Sequence, residues 1–258
     1  SLFAPYKEEL KAEAKSASCE SRNGDKFDLM AHQKIVRDYI NLYTPYRGLL
    51  LYHGLGSGKT CSSIAIAEGL KDNRKIIVMT PASLKRNYFE ELKKCGDTMY
   101  KKNQFWEFVK SSPDNIKTLA SVLNIDEEYI NLQRGAWLVN VKKPPNYESM
   151  SSVEKKSLDK QLDEMIQNKY RFISYNGLRK SHMNALSMEG GVKHNPFDNA
   201  VVVIDEAHNI VSRIVNKLTR KSSTSVSIEL YELLMSAENS RIVLLSGTPV
   251  INYPNEIA

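Results

Sequence analysis

The 258-residue chain is 41% hydrophobic and 26% charged, the balance of one large globular domain with room for an inserted subdomain. No apolar run approaches the roughly 18 residues of a membrane span, and Ser1-Leu2-Phe3-Ala4-Pro5 is no secretory signal, so no membrane partner is expected. The net charge of +6 permits nucleic-acid binding without establishing it, because a generic lysine-rich surface gives the same figure. Three cysteines, odd in number and widely spaced, predict neither a disulfide framework nor a zinc site and suit a reducing interior.

In chain order, Met30, Ile35, Val36, Tyr39 and Ile40 make the apolar stripe of a helix ahead of a first strand, Leu49–Tyr52. Further short aliphatic runs follow at Lys75–Met79, Arg171–Tyr175, Ala200–Ile204 and Arg241–Leu245. Each is apolar on both faces, as in a parallel sheet covered on both sides. Leu84, Tyr88, Phe89 and Leu92 mark a helix opened by Thr80-Pro81, with Thr80 as cap, and closed by Gly96. Two more helices are predicted over Asn209–Leu218 and Ser227–Ser236. Strands alternating with helices define a doubly wound α/β domain. The rhythm breaks between about Asp97 and Lys169, where helical patterns dominate and only Ala136–Val141 reads as a strand. This stretch is expected to be a largely helical insertion, with Tyr100, Phe105, Trp106 and Phe108 making a small core.

The densest chemistry lies directly after the first strand, in Gly54-Leu55-Gly56-Ser57-Gly58-Lys59-Thr60. Glycines let the backbone turn tightly, so that successive N–H groups point at phosphate oxygens. The first turn of the next helix, through Cys61, adds its partial positive charge. Lys59 can reach the terminal phosphates and the Thr60 hydroxyl can hold Mg²⁺. The pattern departs from the general form at one point, with His53 where a first glycine is usual. The expected ligand is a nucleoside triphosphate, and the expected chemistry is transfer or hydrolysis of its last phosphate.

A second signal is Val201-Val202-Val203-Ile204-Asp205-Glu206-Ala207-His208. Acids at the carboxyl end of a buried strand lie where open α/β sheets bind ligands. Asp205 is placed to hold Mg²⁺ beside Thr60, and Glu206 to orient and deprotonate an attacking water. His208 suits a coupling role. The third signal, Ser246-Gly247-Thr248-Pro249, again ends a strand, and its hydroxyls can bond His208 or Asp205. Gln33 can pair with the N6 and N7 edge of adenine, or can be a solvent-facing helix glutamine. Thr80-Pro81 and Ser174-Tyr175 can meet a nucleic-acid backbone, or can serve as turns and caps.

These motifs, in this order, resemble the first RecA-like domain of a superfamily 2 helicase or translocase with an intact DEAH sequence. Asn252 and Glu256 are similar to a segment of the Swi/Snf branch. The run Leu49–Thr60 resembles helicase-like ATPases of large nucleocytoplasmic DNA viruses, among them the poxvirus-type nucleoside triphosphatase and early transcription factor. The resemblance covers about residues 30–258 outside the insertion at about 97–169; the RecA-like domain is expected over 26–258, with 1–25 as an N-terminal extension. It implies ATP and Mg²⁺ as cofactors, with Lys59 on the phosphates, Thr60 and Asp205 on the metal, Glu206 on the water and Gln33 on adenine. It also implies DNA or RNA as the track, transcription machinery as a partner, and a cytoplasmic or virion location. Members carry a second RecA-like domain, absent from this chain, whose arginines complete the site. An arginine finger contributes about 10³–10⁵ in turnover in related chemistry, so slow hydrolysis by this piece alone is expected. Two other readings are a metabolite kinase, which has no need of the acidic and Ser-Gly-Thr-Pro motifs, and an ATP-gated scaffold that recruits transcription partners.

Overall fold

Five of the apolar segments pair into one sheet. In the computed structural model, which describes residues 6–15, 30–40, 44–52, 58–71, 74–189, 191–219 and 225–248, the strands are β1 (Gly48–Tyr52), β2 (Lys75–Thr80), β3 (Trp106–Lys110), β4 (Gly135–Val139), β5 (Tyr170–Ser174), β6 (Met188–Glu189), β7 (Val192–Lys193), β8 (Ala200–Ile204) and β9 (Arg241–Ser246). The helices are α1 (Lys7–Lys15), α2 (Ala31–Tyr39), α3 (Lys59–Leu70), α4 (Lys85–Cys95), α5 (Ile116–Leu123), α6 (Glu127–Gln133), α7 (Ser152–Lys169), α8 (Lys180–Leu186), α9 (His208–Thr219) and α10 (Val226–Ser236). The described residues divide into two units, one from 6–86 and 171–248 and the other from 87–170.

The first unit holds the five-stranded sheet, in the order β1-β9-β8-β2-β5. The β1–β9, β9–β8 and β8–β2 pairs are parallel. All five residues of β8 are buried, which is why its sequence is an unbroken aliphatic run. β1 departs from the expectation of two covered faces: Leu50 is 40% and Tyr52 60% exposed. α3 is apolar nearly all round, with eight of its twelve residues buried, and it packs on α2, β8 and β9. Ile77, Val202, Ile204, Ile210, Leu230 and Leu234 belong to one core that ties the sheet to α9 and α10.

The second unit contains α5, α6, α7 and a strand pair that the sequence reading only half anticipates. β4 answers to the expected strand. β3 is new, and it pairs antiparallel with β4 so that Phe108 faces Trp137, their rings 5.1 Å apart and edge-on. Side-chain amides occupy backbone positions on both strands. Asn146 takes the Trp106 N–H (2.8 Å) and gives to the Trp106 carbonyl (3.0 Å). Gln161 does the same for Trp137, at 2.7 and 2.8 Å. Unpaired strand edges are thereby satisfied within the unit. α7 starts with a capping box, Ser151 Oγ accepting from the Glu154 N–H while Glu154 accepts from the Ser151 N–H.

Candidate nucleotide-hydrolysis site

Register places the chemical motifs together. Leu50 lies level with Leu244, Leu244 with Ile204, and Ile204 with Met79. The carboxyl ends of β1, β9, β8 and β2 therefore share one edge of the sheet. At that edge lie Tyr52, the Ser246 turn, the Asp205–His208 turn and Thr80-Pro81. This is the crevice where open parallel sheets take their ligands.

The acidic turn is stitched to both neighbouring strands. The Asp205 N–H donates to the Met79 carbonyl at 2.8 Å, and the Ala207 N–H to the Leu245 carbonyl at 2.9 Å. Between them Glu206 has φ 48°, the left-handed region that residues with a Cβ rarely adopt. The Asp205 carboxyl accepts from the Glu206 N–H at 3.0 Å. Burial is the main influence on this carboxyl and pushes its pKa up; the neighbouring Glu206 adds to the rise. The Glu206 N–H, the Lys59 ammonium and the Thr80 hydroxyl act the other way. Lys59, 146 positions earlier in sequence, is thus near enough for its charge to act on the Asp205 carboxyl.

Gly58 has φ +75°, and a Cβ there would sit 2.5 Å from Gln33 Nε2. Both facts require glycine. Gln33 is 1% exposed, which excludes a solvent-facing role. Its Oε1 accepts from the Met30 N–H at 3.0 Å and its Nε2 donates to the Gly58 carbonyl at 3.2 Å, so it clamps the joint between loop and helix. Lys59 and Thr60 form the first turn of α3 and are half-buried. Ser62 and Ser63 behind them are fully buried and return their hydroxyls to the Gly58 and Thr60 carbonyls. Gly54, Gly56 and Ser57, with His53 and Leu55, lie outside the described residues, as do Pro249, Asn252 and Glu256. Cys61, next along the helix, is buried and disulfide-bonded, which corrects the expectation that the cysteines form no bridge.

On the β9 side, His208 Nδ1 lies 3.0 Å from Ser246 Oγ and 3.4 Å from Glu206 Oε2. Thr248 donates its N–H to Ser246 Oγ at 3.1 Å, and its hydroxyl is 3.5 Å from the same imidazole nitrogen. Gly247 is the link between those two residues. The expected bonding between His208 and the Ser246-Gly247-Thr248 turn is therefore present.

Thr80, Pro81, Ser174 and Tyr175 are placed differently from a set of surface contacts. Thr80, Pro81 and Tyr175 are buried, and only Ser174 is exposed. Thr80 does not cap a helix: a short 3₁₀ turn, Ala82–Leu84, intervenes before α4, and the Thr80 hydroxyl donates to the Pro81 carbonyl at 3.4 Å while acting to lower the Asp205 pKa. Tyr175 likewise turns inward, its hydroxyl donating to the carbonyls of Asp205 (2.9 Å) and Glu206 (3.1 Å). The inward roles of Tyr175 and Gln33 depend on contacts across the fold and have no local sequence signal.

The sheet order, the strand-end motifs and the covering helices define a RecA-like α/β domain of the superfamily 2 helicase class. Residues 26–251 match the family model described as "Type III restriction enzyme, res subunit", and the chain belongs to that family. Among curated proteins, it is 32% identical over 238 residues to one of Acanthamoeba polyphaga mimivirus that carries the provisional name ATP-dependent RNA helicase. That match covers 90% of this chain and 32% of the relative. A protein of Invertebrate iridescent virus 3, provisionally named a helicase, is 26% identical over 244 residues, 89% of this chain and 19% of the relative. A "Termination factor NPH-I homolog" of African swine fever virus is 25% identical over 211 residues, 82% of this chain and 21% of the relative. The chain thus spans a third or less of the length of these relatives. Among the described residues, no helix is long and apolar enough to cross a membrane.

Proposed function

We propose that this chain is the ATP-binding motor domain of a nucleic-acid-dependent ATPase that couples hydrolysis to movement on, or remodelling of, DNA or RNA. The observation that carries the reading is the convergence of Lys59, Asp205, Glu206, His208 and Ser246 at one sheet edge.

The donors fit a metal-bound triphosphate. Gly58, at φ +75°, holds the left-handed turn from which α3 starts, and a helix N-terminus there favours a bound phosphate. Asp205 is a buried carboxyl whose charged form burial disfavours, a cost that a divalent cation relieves. Thr60 and Asp205 are the residues to hold Mg²⁺, whose bound charge would neutralise the phosphate oxygens. Lys59 supplies a further positive charge to the terminal phosphate. Glu206 orients the attacking water and accepts its proton. His208, bonded to Ser246 and 3.4 Å from Glu206 Oε2, makes the water-activating acid responsive to movement at the end of β9. Gln33, buried and hydrogen-bonded at both ends of its amide, holds the loop joint instead of pairing with adenine.

Charge supports a nucleic-acid track on the first unit. Residues 87–170 carry 13 Lys and Arg against 13 Asp and Glu, so the surplus of the chain lies elsewhere. The exposed Ser174 is the candidate backbone contact. A second RecA-like domain, implied by the resemblance, is the partner that closes over the nucleotide. Transcription machinery is a further partner, supported by the name of the African swine fever virus relative. The test is ATP hydrolysis with single-stranded and duplex DNA and RNA. Stimulation by at least one of these, abolished by Glu206→Gln, is the expected result. A rate indifferent to all four and to the substitution overturns the reading.

A further inference from the structure

We infer that Tyr175 is a positioning residue for ATP turnover, its buried hydroxyl holding the Asp205–Glu206 turn in the backbone geometry from which Glu206 acts. The inference rests on the ATPase reading above.

The turn needs such a support. Its N–H groups at 205 and 207 are fixed by the neighbouring strands, and the Glu206 carbonyl accepts from the Asn209 N–H at 3.0 Å; none of these bonds reaches the Asp205 carbonyl or ties it to the Glu206 carbonyl. Tyr175 meets both. One hydroxyl proton is shared between the Asp205 carbonyl at 2.9 Å and the Glu206 carbonyl at 3.1 Å. The two carbonyls flank the Glu206 Cα, whose φ of 48° is the least favourable feature of the turn. Fixing both peptide planes around that residue fixes where its carboxylate points. The tyrosine ring belongs to the core with Ile173, Met183 and Ile210 and is 3% exposed, so the hydroxyl has little freedom to move. That burial also removes it from any nucleic-acid surface.

The experiment is Tyr175→Phe in the purified protein, which keeps the ring and deletes the donor. A fall in kcat of about tenfold is expected, the scale of one or two lost hydrogen bonds, with KM for ATP and affinity for nucleic acid unchanged. An unchanged kcat overturns the inference, as does a defect confined to nucleic-acid affinity. If the phenylalanine variant melts below the assay temperature, parent and variant are compared below the variant's melting temperature, where an equal kcat overturns the inference. Glu206→Gln is assayed in parallel. If it hydrolyses ATP normally, the ATPase reading itself fails; if it is inactive while Tyr175→Phe is normal, only the role of Tyr175 falls.

Discussion

His208 Nδ1 stands 3.0 Å from Ser246 Oγ, so the end of β9 is hydrogen-bonded to the turn that carries Asp205 and Glu206. The same nitrogen is 3.4 Å from Glu206, which makes it a short bridge between the catalytic carboxylate and a strand end. Ser246→Ala should cut the stimulation of hydrolysis by nucleic acid about tenfold more than it cuts the unstimulated rate, the effect of about 1.4 kcal/mol of lost coupling. Steady-state rates with and without saturating nucleic acid measure this. Equal losses in both would show that the bridge carries no coupling.

In the proposed function Glu206 is the group that deprotonates the attacking water. Glu206→Gln should lower kcat by about 10²–10⁴-fold, the usual contribution of a general base. KM for ATP should change little, since the carboxylate acts on water and not on the bound phosphates. A rise in KM at constant kcat would assign Glu206 to binding.

Asp205 carries a carboxyl whose pKa burial raises in the folded state. With the folded value above the unfolded one, its contribution to stability is full below the ordinary aspartate range and is lost as pH rises through the raised value. Without metal, Asp205→Asn should therefore melt higher than the parent at about pH 7.5, with the gap closing towards about pH 4. The same substitution should abolish Mg²⁺-dependent hydrolysis, a trade of activity for stability. Thermal melts in chelator across that range give the test, and a variant that melts lower at neutral pH would contradict it.

Gly58→Ala puts a methyl group 2.5 Å from Gln33 Nε2 at a φ of +75°. The left-handed backbone alone should cost about 1–2 kcal/mol, seen in the melting temperature. Gln33→Ala removes the colliding amide but not the backbone strain. The double variant should then recover part, not all, of the stability that Gly58→Ala loses relative to Gln33→Ala. Full additivity would mean that the two side chains do not meet.

The core of the sheet was readable because its strands are short aliphatic runs, and burial on both faces leaves such runs no polar alternation. β8 matches its expected bounds residue for residue. β3 escaped because Trp106–Lys110 includes Glu107 and Lys110; pairing with residues 135–139 makes it a strand, and that is a long-range fact. The site residues were legible as types at strand ends. Their roles were less so where a side chain turns inward: Thr80 reads as a helix cap but serves Asp205, and Tyr175 reads as a surface contact but braces the acidic turn. Local sequence states which hydroxyls are available, while the tertiary fold decides which carbonyl or carboxylate they reach. Gln33 shows the same division, since helix position was evident and the bond to the Gly58 carbonyl, 25 residues away, was not.

The claim on which all of this depends is that Lys59 and Asp205 grip one Mg²⁺-bound triphosphate between them. Calorimetric titration of ATP, with Mg²⁺ and with chelator, into the parent protein and the Lys59→Ala and Asp205→Asn variants tests it directly. The account predicts that affinity in Mg²⁺ falls at least about tenfold in each variant, and that chelator weakens the parent but scarcely affects Asp205→Asn. Parent-like Mg²⁺-ATP affinity in both variants would contradict it.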